Sequence, residues 1–192
     1  LLNKLGLNDR MNAFLTVPID AWDHETAIRC IHALARGYSL DIDSETPNRI
    51  VNLIGWCSPM YVQLFMDILA DERLGGTCTC NDAERIYSEK IVRGQTGNYQ
   101  LSPMEERLRK IFNEREYAQA MQWLSLLSAS DHPVSSSELT AHAKVKGYYV
   151  DAVSNILLNL EHDGYIEGSG QGWVFRSKLL KDWWKNRYGD QA

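Results

Sequence analysis

The chain has 192 residues, of which 44% are hydrophobic and 23% are charged, and its formal net charge is −5. This is the composition of an ordinary soluble globular protein, and no apolar run approaches the roughly 20 residues that a membrane-spanning helix needs. The acidic balance disfavours a dedicated nucleic-acid binder, because such proteins are usually basic overall. Four scattered cysteines are too few for a disulfide framework, which indicates a reducing, cytoplasmic location.

Helical spacing and turn residues predict three helices in the first part of the chain. Before them, residues 1–17 contain a short stretch of strand character and are interpreted as a connector. Asp23 is a good N-cap for the first helix, which Gly37 ends. The second helix has a proline near its first turn and ends at Gly55. Pro59 opens the third helix.

A fourth helix completes a small helical domain, which we place at residues 18–95. Asp82 is expected to cap this fourth helix. Residues 94–98, with the sequence Gly-Gln-Thr-Gly-Asn, are rich in turn formers and predict a linker and a domain boundary. Beyond the linker, residues 102–105 have the pattern of a capping box and predict a helix that ends near Phe112.

The pattern of residues 98–192 predicts a winged helix-turn-helix domain with flanking helices. A helix over residues 117–128 precedes a short helix that Ser136 or Ser137 caps, and residues 144–148 are expected to form the turn that follows. The long helix after this turn carries apolar residues at helical spacing, namely Val150, Val153, Leu157 and Leu160.

A glycine-turned hairpin and a last helix end this domain. The hairpin strands are predicted at residues 165–167 and 173–175, and the last helix is expected to begin near Ser177. Four aromatic residues of the second strand and the last helix are expected to pack in the core rather than to stack on bases: Trp173, Phe175, Trp183 and Trp184. The predicted fold class is therefore mainly α, with a small helical domain followed by a winged helix that has a short β-hairpin wing.

No catalytic motif is present in the sequence. It contains no glycine-rich loop ending in Gly-Lys-Ser/Thr that would hold a triphosphate, and no context marks an activated nucleophile. Cys78 and Cys80 could contribute to a metal site, but a structural zinc site needs four ligands and no second pair lies nearby. We therefore expect no enzyme activity, no metal and no cofactor in this chain.

Several basic residues could contact phosphate if the winged helix placed its long helix in a major groove. The candidates for contact with nucleic acid or a partner are Lys144, Lys146, Arg176, Lys178, Lys181 and Lys185, together with Asn155 on the long helix. The exposed positions of that helix are acidic or neutral, whereas a groove helix normally presents arginine or lysine to the backbone. The alternative that the lysines form only a solvated basic surface stays open.

The turn from Gly55 to Pro59 is a second candidate site. The first N–H groups of the helix that Pro59 opens have no helical partner and could meet an anion or a neighbouring domain. On spacing alone, an ordinary corner between two helices is the preferred interpretation.

Three stretches of the chain resemble the C-terminal half of prokaryotic P-loop ATPases of the AAA+/STAND group, including the archaeal-type ATPases. Residues 54–63 look like the lid motif of these proteins, in which a glycine-to-proline turn leads into a helix. Residues 18–34 look like the segment that leads into the lid. Residues 175–184, with the sequence Phe-Arg-Ser-Lys-Leu-Leu-Lys-Asp-Trp-Trp, look like the ending of their winged-helix domains. Together, these stretches extend the resemblance over essentially the whole chain.

The resemblance implies a helical lid that closes over a bound nucleotide, which would assign nucleotide sensing to Gly55, Trp56 and Pro59. It also implies an upstream ATPase core that holds ATP and Mg²⁺, and this sequence lacks such a core. Because the first residue is Leu1 rather than methionine, we expect the chain to be a piece of a longer protein. We thus predict a non-catalytic regulatory fragment whose winged helix engages DNA or a protein partner. A stand-alone DNA-binding transcriptional regulator and a protein-interaction or autoinhibitory module are the alternatives.

Overall fold

The computed structural model describes residues 21–72 and 75–189. Within these ranges, nine α-helices and one two-stranded antiparallel hairpin are present, which confirms the predicted fold class of a mainly helical chain with a short β-hairpin. The predicted connector at residues 1–17 lies outside the described residues. None of the described helices is long and apolar enough to cross a membrane.

The first part of the chain, here called the helical half, contains four helices and a π-helical turn. They are α1 (His24–Gly37), α2 (Thr46–Ile54), α3 (Pro59–Asp71), α4 (Cys80–Ile86) and the π turn (Tyr87–Val92). Asp23 caps α1 as predicted, because its carboxylate accepts the Thr26 N–H at 2.7 Å. The predicted cap of α4 is wrong. Thr79 is the N-cap, and Asp82 lies three residues later, where it closes a capping box.

Helix α5 (Gln95–Ile111) corrects two predictions. Its first turn occupies residues 95–98, where a linker was expected, and Ser102 lies inside the helix rather than at its start. Pro103 has no N–H for the Tyr99 carbonyl four residues earlier, and the Ser102 hydroxyl donates to that carbonyl instead, at 3.3 Å. This bond explains how the helix passes through a proline. The division of the chain into two domains near this point stays a prediction.

The remaining elements form the winged-helix half. They are α6 (Glu114–Ala129), α7 (Ser136–Lys146), α8 (Val153–His162), β1 (Ile166–Ser169), β2 (Gly172–Phe175) and α9 (Lys178–Tyr188). Strands β1 and β2 pair antiparallel, with Ile166 opposite Phe175. A single bridge between Val134 and Trp173 ties the wing to the segment before α7, through N–H to carbonyl distances of 3.0 and 2.9 Å. Three helices followed by a hairpin give the order of a winged helix.

Helix α7 begins one residue earlier and ends later than predicted. Ser135 rather than Ser136 or Ser137 is the cap, because only Ser135 has a glutamate three residues later to complete a capping box. The helix continues to Lys146 and ends on Gly147, which has φ 70°. The residues predicted as a turn, Lys144 and Lys146, therefore lie in the last turn of α7.

Aromatic residues form the centre of the core in the winged-helix half. Trp183 and Trp184 are buried and meet edge-to-face with ring centroids 5.6 Å apart, and Phe175 lies 6.2 Å from Trp184. This confirms the expectation of core packing for these three rings. Trp173 is only half-buried, and its indole N–H donates to the Ser136 hydroxyl at 2.9 Å. Helix α9 also packs against α2 and the π turn, so it contacts both halves of the chain.

Candidate functional site

The corner between α2 and α3 packs against the start of α9. Gly55 has φ 76° and ψ −83°, a backbone conformation that residues with a side chain rarely adopt. A Cβ atom at this position would lie 3.0 Å from the backbone nitrogen of Lys178. Glycine is therefore required both by the turn and by the close approach of α9.

Trp56 follows in the same corner and lies between the two halves. The rings of Trp56 and Tyr61 meet edge-on, with centroids 6.2 Å apart. The Arg176 guanidinium lies 5.2 Å from the Trp56 ring centroid, and a Cβ on Gly164 would lie 3.6 Å from the same ring. A cation over an indole ring stabilises a partly exposed contact by about 0.5–1 kcal/mol. The side chain predicted to sense nucleotide thus makes packing contacts within the chain.

Ser177 joins the two halves through one hydroxyl group. The residue is fully buried. Its Oγ donates to the Ile54 carbonyl at 3.1 Å and accepts the Leu180 N–H at 3.3 Å. Carbonyls in the last turn of a helix and N–H groups in the first turn lack helical partners. One side chain therefore completes the end of α2 and the start of α9.

Tyr87, Lys178 and Asp182 form a second link between the halves. The Tyr87 hydroxyl donates to Asp182 Oδ2 at 2.7 Å, and Lys178 forms an ion pair with the same carboxylate. The Lys178 ammonium also lies 5.1 Å from the Tyr87 ring centroid. Burial, followed by the hydrogen bond to Asp182, raises the pKa of Tyr87. Its hydroxyl therefore stays protonated and acts as a donor.

Three of the predicted phosphate-contact residues already have partners within the chain. Lys178 forms the ion pair with Asp182 that is described above. The Arg176 Nε lies 3.6 Å from the Glu167 carboxylate. The Lys181 ammonium donates to the Ser130 carbonyl at 2.6 Å. These cations are therefore only partly available to a ligand.

The other predicted contacts lie apart from one another. Lys144 and Lys146 are exposed in the last turn of α7, and Lys185 is exposed on α9. None of the three side chains forms a hydrogen bond or ion pair within residues 21–72 and 75–189. Asn155 is exposed on α8, and its backbone carbonyl accepts the Asn159 amide at 2.7 Å. The structure thus does not gather the predicted contacts into one site.

The segment that contains α8 and the wing is acidic. Residues 147–175 contain four acidic residues and neither lysine nor arginine: Asp151, Glu161, Asp163 and Glu167. Two cations from outside this segment pair with it: Arg107 of α5 lies 3.1 Å from Asp163, and Arg176 lies 3.6 Å from Glu167. Leu158, on the same helix as Asn155, is 61% exposed. A helix that enters a major groove needs cations toward phosphate, and this one presents an apolar side chain among neutral and acidic ones.

Cys78 and Cys80 do not form part of a metal centre in the described residues. No three histidine, cysteine, aspartate or glutamate side chains come together there in a metal-binding arrangement. Burial raises the pKa of the Cys78 thiol to about 11, so the thiol stays protonated at neutral pH. Cys80 is half-buried and lies 3.9 Å from the Thr46 hydroxyl.

In comparisons with known proteins, no protein-family model and no curated protein matches this chain. The functional interpretation therefore depends on the geometry described above.

Sequence reasoning missed the π turn and the link from Tyr87 to Asp182. Helical spacing identifies Tyr87 as a buried residue, but its partner lies 95 residues away along the chain. Ser177 was expected near the start of a helix, but its hydrogen bond to the Ile54 carbonyl was not predicted. No local pattern carries information about such distant partners.

Proposed function

We propose that this chain is a non-catalytic regulatory module whose winged helix docks a protein partner through the exposed face of α8. The observation that carries the proposal is the absence of lysine and arginine from residues 147–175, together with the exposure of Leu158. An apolar side chain among amides and carboxylates buries area against a protein surface, whereas the same carboxylates repel a phosphate backbone.

The charge of this face also favours one partner chemistry. Asp151 lies just before α8 and Glu161 lies near its end, so the exposed Leu158 and Asn155 are between two carboxylates along the chain. Complementary potentials favour a partner that has an apolar surface bordered by lysine or arginine. An amphipathic helix with leucine on one face and lysine at its edges has this chemistry.

Two model peptides of equal length test the docking proposal. One is a helical Leu/Lys peptide and the other a helical Leu/Glu peptide, and binding is followed by amide chemical shifts of the labelled chain. We expect the Leu/Lys peptide to shift residues of α8 and the Leu/Glu peptide to leave them unchanged. Leu158→Lys and Asn155→Arg should abolish the shifts, whereas Tyr99→Lys, at an exposed position on α5, should preserve them. Equal binding by the Leu158→Lys chain would contradict the proposal.

A DNA-binding regulator makes the opposite prediction. It would use Lys144 and Lys146 on phosphate, and these lie on α7 rather than on the helix that enters the groove. We expect no saturable binding of a labelled duplex at low salt in fluorescence anisotropy. Binding that weakens with added salt and on Lys144→Gln would favour the regulator instead.

A nucleotide-driven switch is the second candidate, favoured by the packing of the corner on α9. In this version, an upstream AAA+/STAND-like core binds ATP and Mg²⁺, and Gly55, Trp56 and Pro59 respond to the nucleotide. Because Gly55 contacts Lys178 directly, a displacement of the corner would move α9 and the winged helix with it.

Two observations test this second candidate. The chain by itself should hydrolyse no ATP, and a rate above background would contradict the assignment. The natural sequence upstream of Leu1 should contain a Gly-Lys-Ser/Thr loop within about 250 residues, given ordinary domain sizes. A different upstream sequence would remove the ATPase core from the proposal and leave the docking function untouched.

A further inference from the structure

Two adjoining clefts lie where the π turn meets α9 and the start of α5. Their volumes are 310 and 290 Å³. The two clefts adjoin, because Val92, Arg93 and Asn186 line both of them. Neither the docking face of α8 nor the corner at Gly55 contributes to them.

Three of the four charged residues that line these clefts are cations. Arg93 and Arg187 line the first, and Arg93 and Lys185 line the second. Asp182 is the one acidic side chain among the described lining residues, and Tyr87 and Lys178 already bind it. The protein as a whole carries a net charge of −5. The local excess of positive charge is therefore opposite to the average of the chain.

The three cations differ in how they are held. Arg187 is fixed, because its Nη1 donates to Asn98 Oδ1 at 2.7 Å and its Nε lies 3.9 Å from a Glu105 carboxylate oxygen. The exposed side chains of Arg93 and Lys185 form no hydrogen bond or ion pair with any described residue. One cation is thus positioned in advance, and two are uncommitted.

The π turn borders both clefts. The Arg93 N–H donates to the Ser88 carbonyl five residues earlier, at 3.2 Å, which is the π-helical pattern. Such turns are rare and occur frequently at functional sites. The Val92 carbonyl at its end accepts the Asn186 amide at 3.3 Å, which holds the Asn186 side chain where the two clefts meet.

We propose that these clefts bind a diphosphate-type ligand, with one anionic group in each cleft and Arg93 in contact with both. A guanidinium group suits this position, because its planar set of N–H donors can bind two oxygen atoms at once. Arg187 supplies charge to the first anionic group and Lys185 to the second. Inorganic pyrophosphate and a diphosphate ester share this chemistry. The proposal uses none of the residues of the docking face and does not depend on that function.

Calorimetric titration of the whole chain with pyrophosphate tests the site, with sulfate as a ligand that has a single anionic group. We expect saturable binding of pyrophosphate and weaker binding of sulfate. Arg93→Gln should weaken pyrophosphate binding by about tenfold or more, because hydrogen bonds to charged groups are the stronger ones. Lys185→Gln should weaken it in the same direction.

Lys110→Gln provides the matched control, because Lys110 is exposed at the far end of α5 and outside both clefts. Its affinity for pyrophosphate should equal that of the unaltered chain, and circular dichroism should show all variants folded. Equal loss in Lys110→Gln and Arg93→Gln, or sulfate binding as tight as pyrophosphate binding, would overturn the proposal, as would no binding. Tighter binding of a nucleoside diphosphate than of pyrophosphate would assign the ester as ligand, and equal binding would assign the free anion.

Discussion

The Arg176 guanidinium lies 5.2 Å from the centre of the Trp56 ring, although 120 residues separate the two along the chain. Trp56 belongs to the corner of the helical half, and Arg176 follows the wing. Immediately beside this pair, Ser177 binds the Ile54 carbonyl and Gly55 touches Lys178. The segments 54–56 and 176–178 therefore form one contact between the two halves of the chain.

Gly55→Ala should destabilise the fold by about 1–3 kcal/mol through the strained backbone conformation alone. The contact with the Lys178 backbone adds to this loss, because a Cβ would lie 3.0 Å from its nitrogen. Chemical denaturation followed by circular dichroism measures the effect. Gly37→Ala is the control, since nothing lies within 4 Å of a Cβ at that position and a small effect is expected. Equal stability of the two variants would refute the packing of the corner.

Ser177→Ala should cost more than the loss of an ordinary helix cap. Removal of a cap costs about 0.5–2 kcal/mol, and the buried Ile54 carbonyl also loses its hydrogen bond, at about 1–3 kcal/mol. Ser135→Ala removes a cap at a more exposed position and should cost only the first amount. The free energies of unfolding of both variants are compared. A larger loss in Ser177→Ala than in Ser135→Ala would show that Ser177 also joins two elements, and equal losses would show that it acts only as a cap.

A double-mutant cycle isolates the contact between Trp56 and Arg176. We expect Trp56→Leu and Arg176→Gln to be coupled by about 0.5–1 kcal/mol in the free energy of unfolding. Trp56→Leu combined with Arg109→Gln should be additive, because Arg109 stacks on Tyr117 instead. A coupling of zero in the first cycle would mean that the cation contributes nothing at this junction.

Glu105 gives the stability a dependence on pH. Burial raises the pKa of its carboxyl, but hydrogen bonds from Tyr188, Tyr117 and Arg109 outweigh burial and lower the pKa overall. A lowered pKa in the folded state adds stability above the ordinary glutamate pKa, and this contribution is lost as the pH falls through the folded value. In urea denaturation, the unaltered chain should therefore have a higher free energy of unfolding than Glu105→Gln near pH 7. This difference should shrink in acid. Glu106→Gln, at an exposed position, should show no such change.

Local signals in the sequence predicted most of the helices. Asp23, Pro59 and Ser177 lie where they were expected, because a cap or a first-turn proline acts within its own turn. The same logic failed where two candidates competed. Thr79 and Asp82 both accept hydrogen bonds well, and only the three-residue spacing between them identifies Thr79 as the cap.

Pro103 shows a different limit of local reasoning. A serine followed by a proline predicts the start of a helix. Here, however, the Ser102 hydroxyl donates to the Tyr99 carbonyl in place of the N–H that the proline lacks, and the helix continues. The candidate sites had the same limit on a larger scale. The sequence singled out Gly55 and Trp56, but Lys178 and Arg176, which contact them, follow the wing more than one hundred positions later.

The bond from Ser177 to Ile54 has a consequence for synthesis on the ribosome. Helix α9 is the last of the described helices to be made, so the Ile54 carbonyl and the Tyr87 hydroxyl have no partner until Ser177 and Asp182 have been translated. The earlier helices then emerge with two polar groups unpaired and with the surface that α9 covers exposed. Completion of the helical half is thereby tied to the synthesis of α9.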